Sequence, residues 1–120
     1  MQISWNDKDP IYRQLHDRIV ESILEGIFLD GDALPSVRTL ASEHRINPIT
    51  VSKALQILVD DELVERRRGL GMFVKQGAAN RLTEEERSKF LDQEWPLICE
   101  KITRLGLSTK ALLAQRSAGQ

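Results

Sequence analysis

Leu34-Pro35-Ser36-Val37-Arg38-Thr39-Leu40-Ala41, followed after a short gap by Arg45-Ile46-Asn47-Pro48-Ile49-Thr50-Val51-Ser52-Lys53-Ala54-Leu55, carries the densest set of structural signals in the chain. It holds two helix starts in quick succession. Pro35 biases Leu34 toward an extended backbone, and Ser36 is a good N-cap. Val37, Leu40 and Ala41 then share one face of a short helix over 37–43. Arg45 to Pro48 reads as a short turn into a longer helix over about 48–60. Asn47 can accept from the orphan amides of that helix, and Pro48 suits its first position. Val51, Ala54, Leu55 and Leu58 form the inward stripe. Thr50, Lys53 and Gln56 face outward, with Ile49 and Ser52 at the margins.

The flanks fit around this pair. Upstream, Asp9-Pro10 predicts the start of a helix over 10–25, with Ile11, Leu15, Ile19 and Ile23 at four-residue spacing and Tyr12, Val20 and Leu24 widening the stripe. Gly26 is its stop, and Asp30-Gly31-Asp32 is a turn. Downstream, Leu63 to Arg67 and Met72 to Lys75 predict two short strands joined through Gly69-Leu70-Gly71. The order helix, helix, turn, helix, hairpin is that of a winged helix. The expected fold class is mainly α with a small β-hairpin: a winged helix-turn-helix followed by a short two-helix C-terminal tail.

The expected domains are 1–76 and 77–120, divided at a small-residue hinge around Gly77-Ala78-Ala79. Thr83 with Glu86 has the spacing of a capping box at the start of a further helix. Leu91, Trp95, Ile98, Ile102 and Leu105 then recur at alternating spacings of four and three, a heptad-like seam suited to dimerisation. Pro96 is expected to kink or divide this helix. Gly106 ends it, Ser108 caps a last short helix carrying Leu112 and Leu113, and Ser117 to Gln120 are expected to fray.

Composition excludes several classes. The chain has 120 residues, 41% hydrophobic and 29% charged, so neither disorder nor a membrane class is favoured. No apolar run approaches the roughly 20 residues of a spanning helix, and the N-terminus lacks the pattern of a secretory signal. Cys99 is the only cysteine and suits a reducing, cytoplasmic setting. His16 and His44 have no ligand-spaced Cys or His partners, so no metal or other cofactor is expected, and His16 reads as ordinary helix surface. No nucleophile–base pair is present, which argues against an enzyme.

Net charge is −1, and within 1–75 ten Lys and Arg face twelve Asp and Glu. A nucleic-acid surface would therefore be a local patch. The candidates form an ordered set. Ser36 stands at a helix start, where free amides suit phosphate. Arg38 can fork onto guanine. Asn47, Thr50 and Ser52 are short donors or acceptors suited to close approach, and Lys53 suits phosphate. Arg68 and Gly69 sit in a narrow basic tip that can reach phosphates or the minor groove. Arg66-Arg67-Arg68 could also serve as a solubilising edge that blocks strand pairing. Trp5 and Trp95 are expected to pack rather than to stack on bases.

The residues from Pro10-Ile11-Tyr12-Arg13-Gln14-Leu15, through Leu34 to Ala41 and Asn47 to Leu55, to Gly69-Leu70-Gly71-Met72-Phe73-Val74 closely resemble the GntR family of bacterial transcription regulators. The resemblance covers residues 10–74. It implies DNA contacts at Arg38, Thr50, Ser52, Arg68 and Gly69, with Ser36, Asn47 and Lys53 as further contacts. Two positions depart from the family pattern. Asp61-Glu62 stands where glycine is usual before the first wing strand, and Met72 where threonine is common. The short tail resembles the YtrA-like subfamily, which implies dimerisation, and whose members often regulate genes for ABC transporters. The expected function is a sequence-specific regulator, a repressor by resemblance, binding a palindromic duplex operator as a homodimer. The alternatives are a protein-interaction module on the same scaffold, or the same regulator with a small-molecule effector held near Pro96 at the dimer interface.

Overall fold

The computed structural model describes Met1 and residues 3–118, without the side chains of 117 and 118. The elements run α1 (Ile11–Leu24), α2 (Val37–His44), α3 (Pro48–Asp60), β1 (Val64–Arg67), β2 (Gly71–Val74), α4 (Ala78–Lys89), a π-helical turn (Phe90–Glu94), α5 (Trp95–Arg104) and α6 (Thr109–Ala118). The mainly helical winged helix-turn-helix with further C-terminal helices is thus the architecture observed. The chain forms two compact units, Met1–Leu82 and Thr83–Gln120.

In the first unit the apolar stripes of three helices and the hairpin close over one core. Leu15, Ile19 and Ile23 of α1 meet Leu40 of α2, Val51, Ala54, Leu55 and Leu58 of α3, and Val64 and Val74 of the hairpin, all with at most 1% exposure. Ile11, expected in the stripe, lies on the first turn of α1 and is exposed. The helix also starts one residue later than expected. Pro10 occupies the cap position, with no side-chain cap. Gln14 secures the entry instead: its amide receives from the Asn6 N–H and donates to the Asn6 and Asp9 carbonyls at 2.7–3.0 Å.

β1 and β2 pair antiparallel from Val64↔Val74 to Arg67↔Gly71. The segment before α2 adds a short third edge. Leu34 N–H donates to the Met72 carbonyl at 2.8 Å, Val74 N–H to Asp32 at 2.9 Å, and Ala33 bridges Phe73. Reading 30–32 only as a turn misses this pairing, because three residues are too few to show alternation. Two acidic residues of this segment accept backbone donors at 2.8 Å: Asp32 locally from Leu29 N–H, and Asp30 from Gly77 N–H, 47 residues on.

The ends of α1, α2 and α3 share one device. At the end of α3, Glu62 N–H donates to Val59 and Leu63 N–H to Leu58, each at 3.0 Å, while Leu58 and Leu63 are buried. This is a Schellman closure, which requires a left-handed residue at its turn. Gly26 supplies that residue after α1, with φ 81°. After α3 the position is held by Glu62 at φ 61°, and after α2 by Arg45 at φ 54°.

Two expectations about the tail are corrected. α4 begins at Ala78, inside the expected hinge, and Thr83 is an interior residue of that helix rather than its cap. The reason is apolar burial: Ala78 and Leu82 join the core of the first unit, which carries the helix through the small-residue stretch. Pro96 does perturb the backbone. It has no N–H to donate to residue 92, and the preceding turn widens so that Trp95 N–H donates to the Phe90 carbonyl. That π turn sets the Phe90 and Trp95 rings 6.1 Å apart. α6 extends to Ala118, so Ser117 and Ala118 are helical rather than frayed, and Gly119 and Gln120 lie outside the described residues.

Candidate nucleic-acid interface

Both expected caps are made. Ser36 Oγ accepts from Thr39 N–H at 3.1 Å and donates to Thr39 Oγ1 at 2.9 Å. Asn47 Oδ1 accepts from Ile49 N–H at 2.9 Å. Capping of α2 still leaves the Val37 and Arg38 amides without an acceptor among the described residues, as a helix start offers to an anion. The Asn47 side chain is committed to its helix, so its freedom to read a base is smaller than the sequence alone suggests.

Arg38 lies on the first turn of α2, exposed, with no carboxylate partner among the described residues. A groove lined by Val37, Arg38, Ala41, Ser42, Ile46 and Pro48 joins it to the start of α3. On α3, Ser52 and Lys53 are exposed and Thr50 is half-buried. Lys53 extends over the ring of Tyr12, with Nζ 4.0 Å from the ring centre. An aromatic face attracts a cation, so Tyr12 positions the ammonium that the recognition helix carries. Thr50 lines a second groove with Trp5, Ile11, His44, Arg45, Ile46 and Asn47. Trp5 is half-buried there, edge-on to His44 at 6.4 Å, a packing role.

Arg68 and Gly69 stand exposed at the tip of the wing, on a different element from α2 and α3. Gly69 has φ 77° in the turn that Leu70 N–H closes onto the Arg67 carbonyl at 2.9 Å. The three arginines divide their work. Arg67 pairs with Glu65 at 2.8 Å and lies over Phe73, which makes it a strand-stabilising residue. Arg66 donates from Nη2 to Gln56 Oε1 at 3.0 Å, and Gln56 donates to Asp60 Oδ1 at 2.9 Å. That chain ties the first wing strand to the outward face of α3. Arg68 has no carboxylate partner among the described residues. Arg45, exposed in the left-handed turn between α2 and α3, is likewise unpaired among them.

Sequence reasoning did not single out Tyr12, Gln56 or Arg66 as positioning residues. Tyr12–Lys53 and Gln56–Arg66 join different elements, and no spacing rule announces them. It also misplaced His16. The ring is 13% exposed, with Nδ1 2.9 Å from Asp17 and a buried Nε2 3.8 Å from Asp61. The contact with the end of α3 covers it, so it is not surface.

In the second unit Leu91 lies on the π turn, Trp95, Ile98 and Ile102 lie on α5, and Leu105 is the C-cap of α5. Leu91, Ile98 and Leu105 are exposed, while Trp95 and Ile102 are half-buried. No residue of the π turn or α5 is buried. Among the described residues, no helix is long and apolar enough to cross a membrane, and no group of acidic, His or Cys side chains could hold a metal.

A recognition helix set beside a second, capped helix and a basic two-stranded wing defines a winged-helix DNA-binding regulator. The sequence pattern of the "Bacterial regulatory proteins, gntR family" matches residues 11–74. The chain belongs to that family, and within it is YtrA-like. It is 37% identical over 100 residues to the HTH-type transcriptional repressor YtrA of Bacillus subtilis, covering 83% of this chain and 77% of the relative. A GntR family transcriptional regulator from Listeria monocytogenes superposes with a TM-score of 0.70 at 27% identity, covering 95% of this chain and 98% of the other. The DNA-binding domain of AraR in complex with operator ORR3 superposes with a TM-score of 0.55 at 26% identity, covering 62% of this chain and 89% of the other. The chain is thus a DNA-binding transcriptional regulator and not an enzyme.

Proposed function

We propose that the protein acts as a cytoplasmic, homodimeric repressor that reads a palindromic operator. Arg38, Thr50, Ser52, Arg68 and Gly69 face the duplex, Lys53 meets phosphate, and Ser36 and Asn47 set the helix starts at the backbone. The tail residues Leu91, Trp95, Ile98, Ile102 and Leu105 pair two copies. The observation that carries the reading is the coincidence, in one chain, of an exposed basic and short-polar set on α2, α3 and the wing with a heptad-spaced apolar stripe in the tail. One winged helix contacts only a few base pairs, whereas a twofold dimer reads two half-sites. Repression is supported by likeness to the repressor from Bacillus subtilis. Control of ABC-transporter genes is supported by the subfamily resemblance, and sequencing of the DNA fragments the protein selects from its genome tests it.

The dimer claim has a direct test. Ile98→Asp places a charge in the centre of the stripe, where burial of an unpaired carboxylate is strongly unfavourable. The expected result is a dimer for the unaltered protein by light scattering, a monomer for the variant, and loss of tight binding to a palindrome with retained weak binding to one half-site. A monomeric unaltered protein, or a variant that still dimerises, contradicts the proposal.

A further inference from the structure

Ile49 is the most exposed large apolar side chain among the described residues, at 78%, and it sits in the first turn of the recognition helix. Its neighbours on that turn are less free to meet a base. Asn47 spends its side-chain oxygen on the Ile49 amide, Pro48 has no donor, and Thr50 is half-buried. Ser52 and Lys53 lie three and four residues on, on the same face. Lys53 is drawn back over Tyr12. A β-branched side chain in a helix has essentially one χ1 rotamer, so Ile49 projects as a fixed apolar knob and loses little freedom on contact.

The first turn of a recognition helix meets base edges in the major groove. There, only thymine presents a methyl group; cytosine presents a bare C5–H, and the purines present acceptors and amino groups. An apolar knob at that place gains from the methyl and leaves a desolvated acceptor or donor unpaired against any other base. We infer that Ile49 is a specificity-determining residue that reads the C5-methyl of one thymine in each half-site. The inference rests on α3 entering the major groove, and it adds a base identity that the polar contacts do not supply.

The test uses the full chain and duplexes selected from a random pool, so no operator need be known. Each thymine of the selected sequence is replaced in turn by deoxyuridine, which removes the methyl and keeps the base pair. Burial of one methyl corresponds to about fourfold in affinity per half-site and roughly fifteenfold when both half-sites are altered. The expected result is a loss of that size at one symmetry-related thymine for the unaltered protein. Ile49→Ala should bind the thymine duplex weaker by a similar factor and be indifferent to the deoxyuridine substitution. Sensitivity that persists in Ile49→Ala, or no sensitive thymine at all, overturns the inference while leaving the DNA-binding reading intact. Failure of the pool to enrich any sequence overturns that reading itself, and the inference with it.

Discussion

Glu62→Gly should stabilise the protein, which few substitutions on a well-packed domain do. Glu62 is held at φ 61° by the two hydrogen bonds that close the end of α3 and by the burial of Leu58 and Leu63 on either side. A residue with a Cβ in that region costs about 1–2 kcal/mol. Glycine removes this strain but adds freedom to the unfolded chain, worth about 0.5–1 kcal/mol in the opposite direction. The side chain offers little to lose. It is 73% exposed, its carboxylate is 3.9 Å from Lys75 Nζ, and exposed pairs of this kind contribute almost nothing. The net expectation is a gain of roughly 0.5–1 kcal/mol, or about 3–6 °C in Tm for a domain of this size. Thermal unfolding by circular dichroism at fixed protein concentration measures it. Glu62→Ala is the control, since it deletes the carboxylate and keeps the strain. If Glu62→Gly is no more stable than Glu62→Ala, strain at this turn is not what the family's usual glycine relieves.

Two further expectations concern reading and folding. Arg38→Ala should weaken binding to a selected duplex by about 1–3 kcal/mol and relax preference at one base pair per half-site, measured by fluorescence anisotropy against single-base variants; uniform weakening at all sequences would make Arg38 a phosphate contact instead. Leu55→Ala, at a site with 0% exposure in the core of the first unit, should cost about 2–5 kcal/mol in urea unfolding, and a loss under 1 kcal/mol would contradict close packing at that position.

Most of the winged-helix unit was legible because its signals are local. Ser36 and Asn47 announce their helices by chemistry that acts within three residues, and the stripe Val51, Ala54, Leu55 and Leu58 carries its period in the chain. The failures have a common cause. The pairing of residues 31–34 with β2, the covering of His16, and the Lys53–Tyr12 and Arg66–Gln56 contacts depend on segments that meet only after folding. The start of α4 was missed for a related reason. Gly77-Ala78-Ala79 has the composition of a hinge, but Ala78 is 3% exposed and Leu82 is 7%, and burial outweighs the weak local signal. The glycine usual in the family before the first wing strand, where this chain has Asp61-Glu62, is the informative exception. Its absence could be seen in the sequence, and its cost could be seen only from the backbone angle.

The proposed function has this chain read a sequence in duplex DNA as a twofold pair. Titration of the 120-residue chain against its selected palindrome and a scrambled duplex of equal length and composition, each at several salt concentrations near physiological, provides the test. The expected result is two protomers per palindrome and affinity for it at least about a thousandfold above the scrambled duplex. Both affinities should fall steeply with salt as phosphate counterions are released. Equal affinity for the two duplexes at physiological salt, or binding that is insensitive to salt, would contradict it.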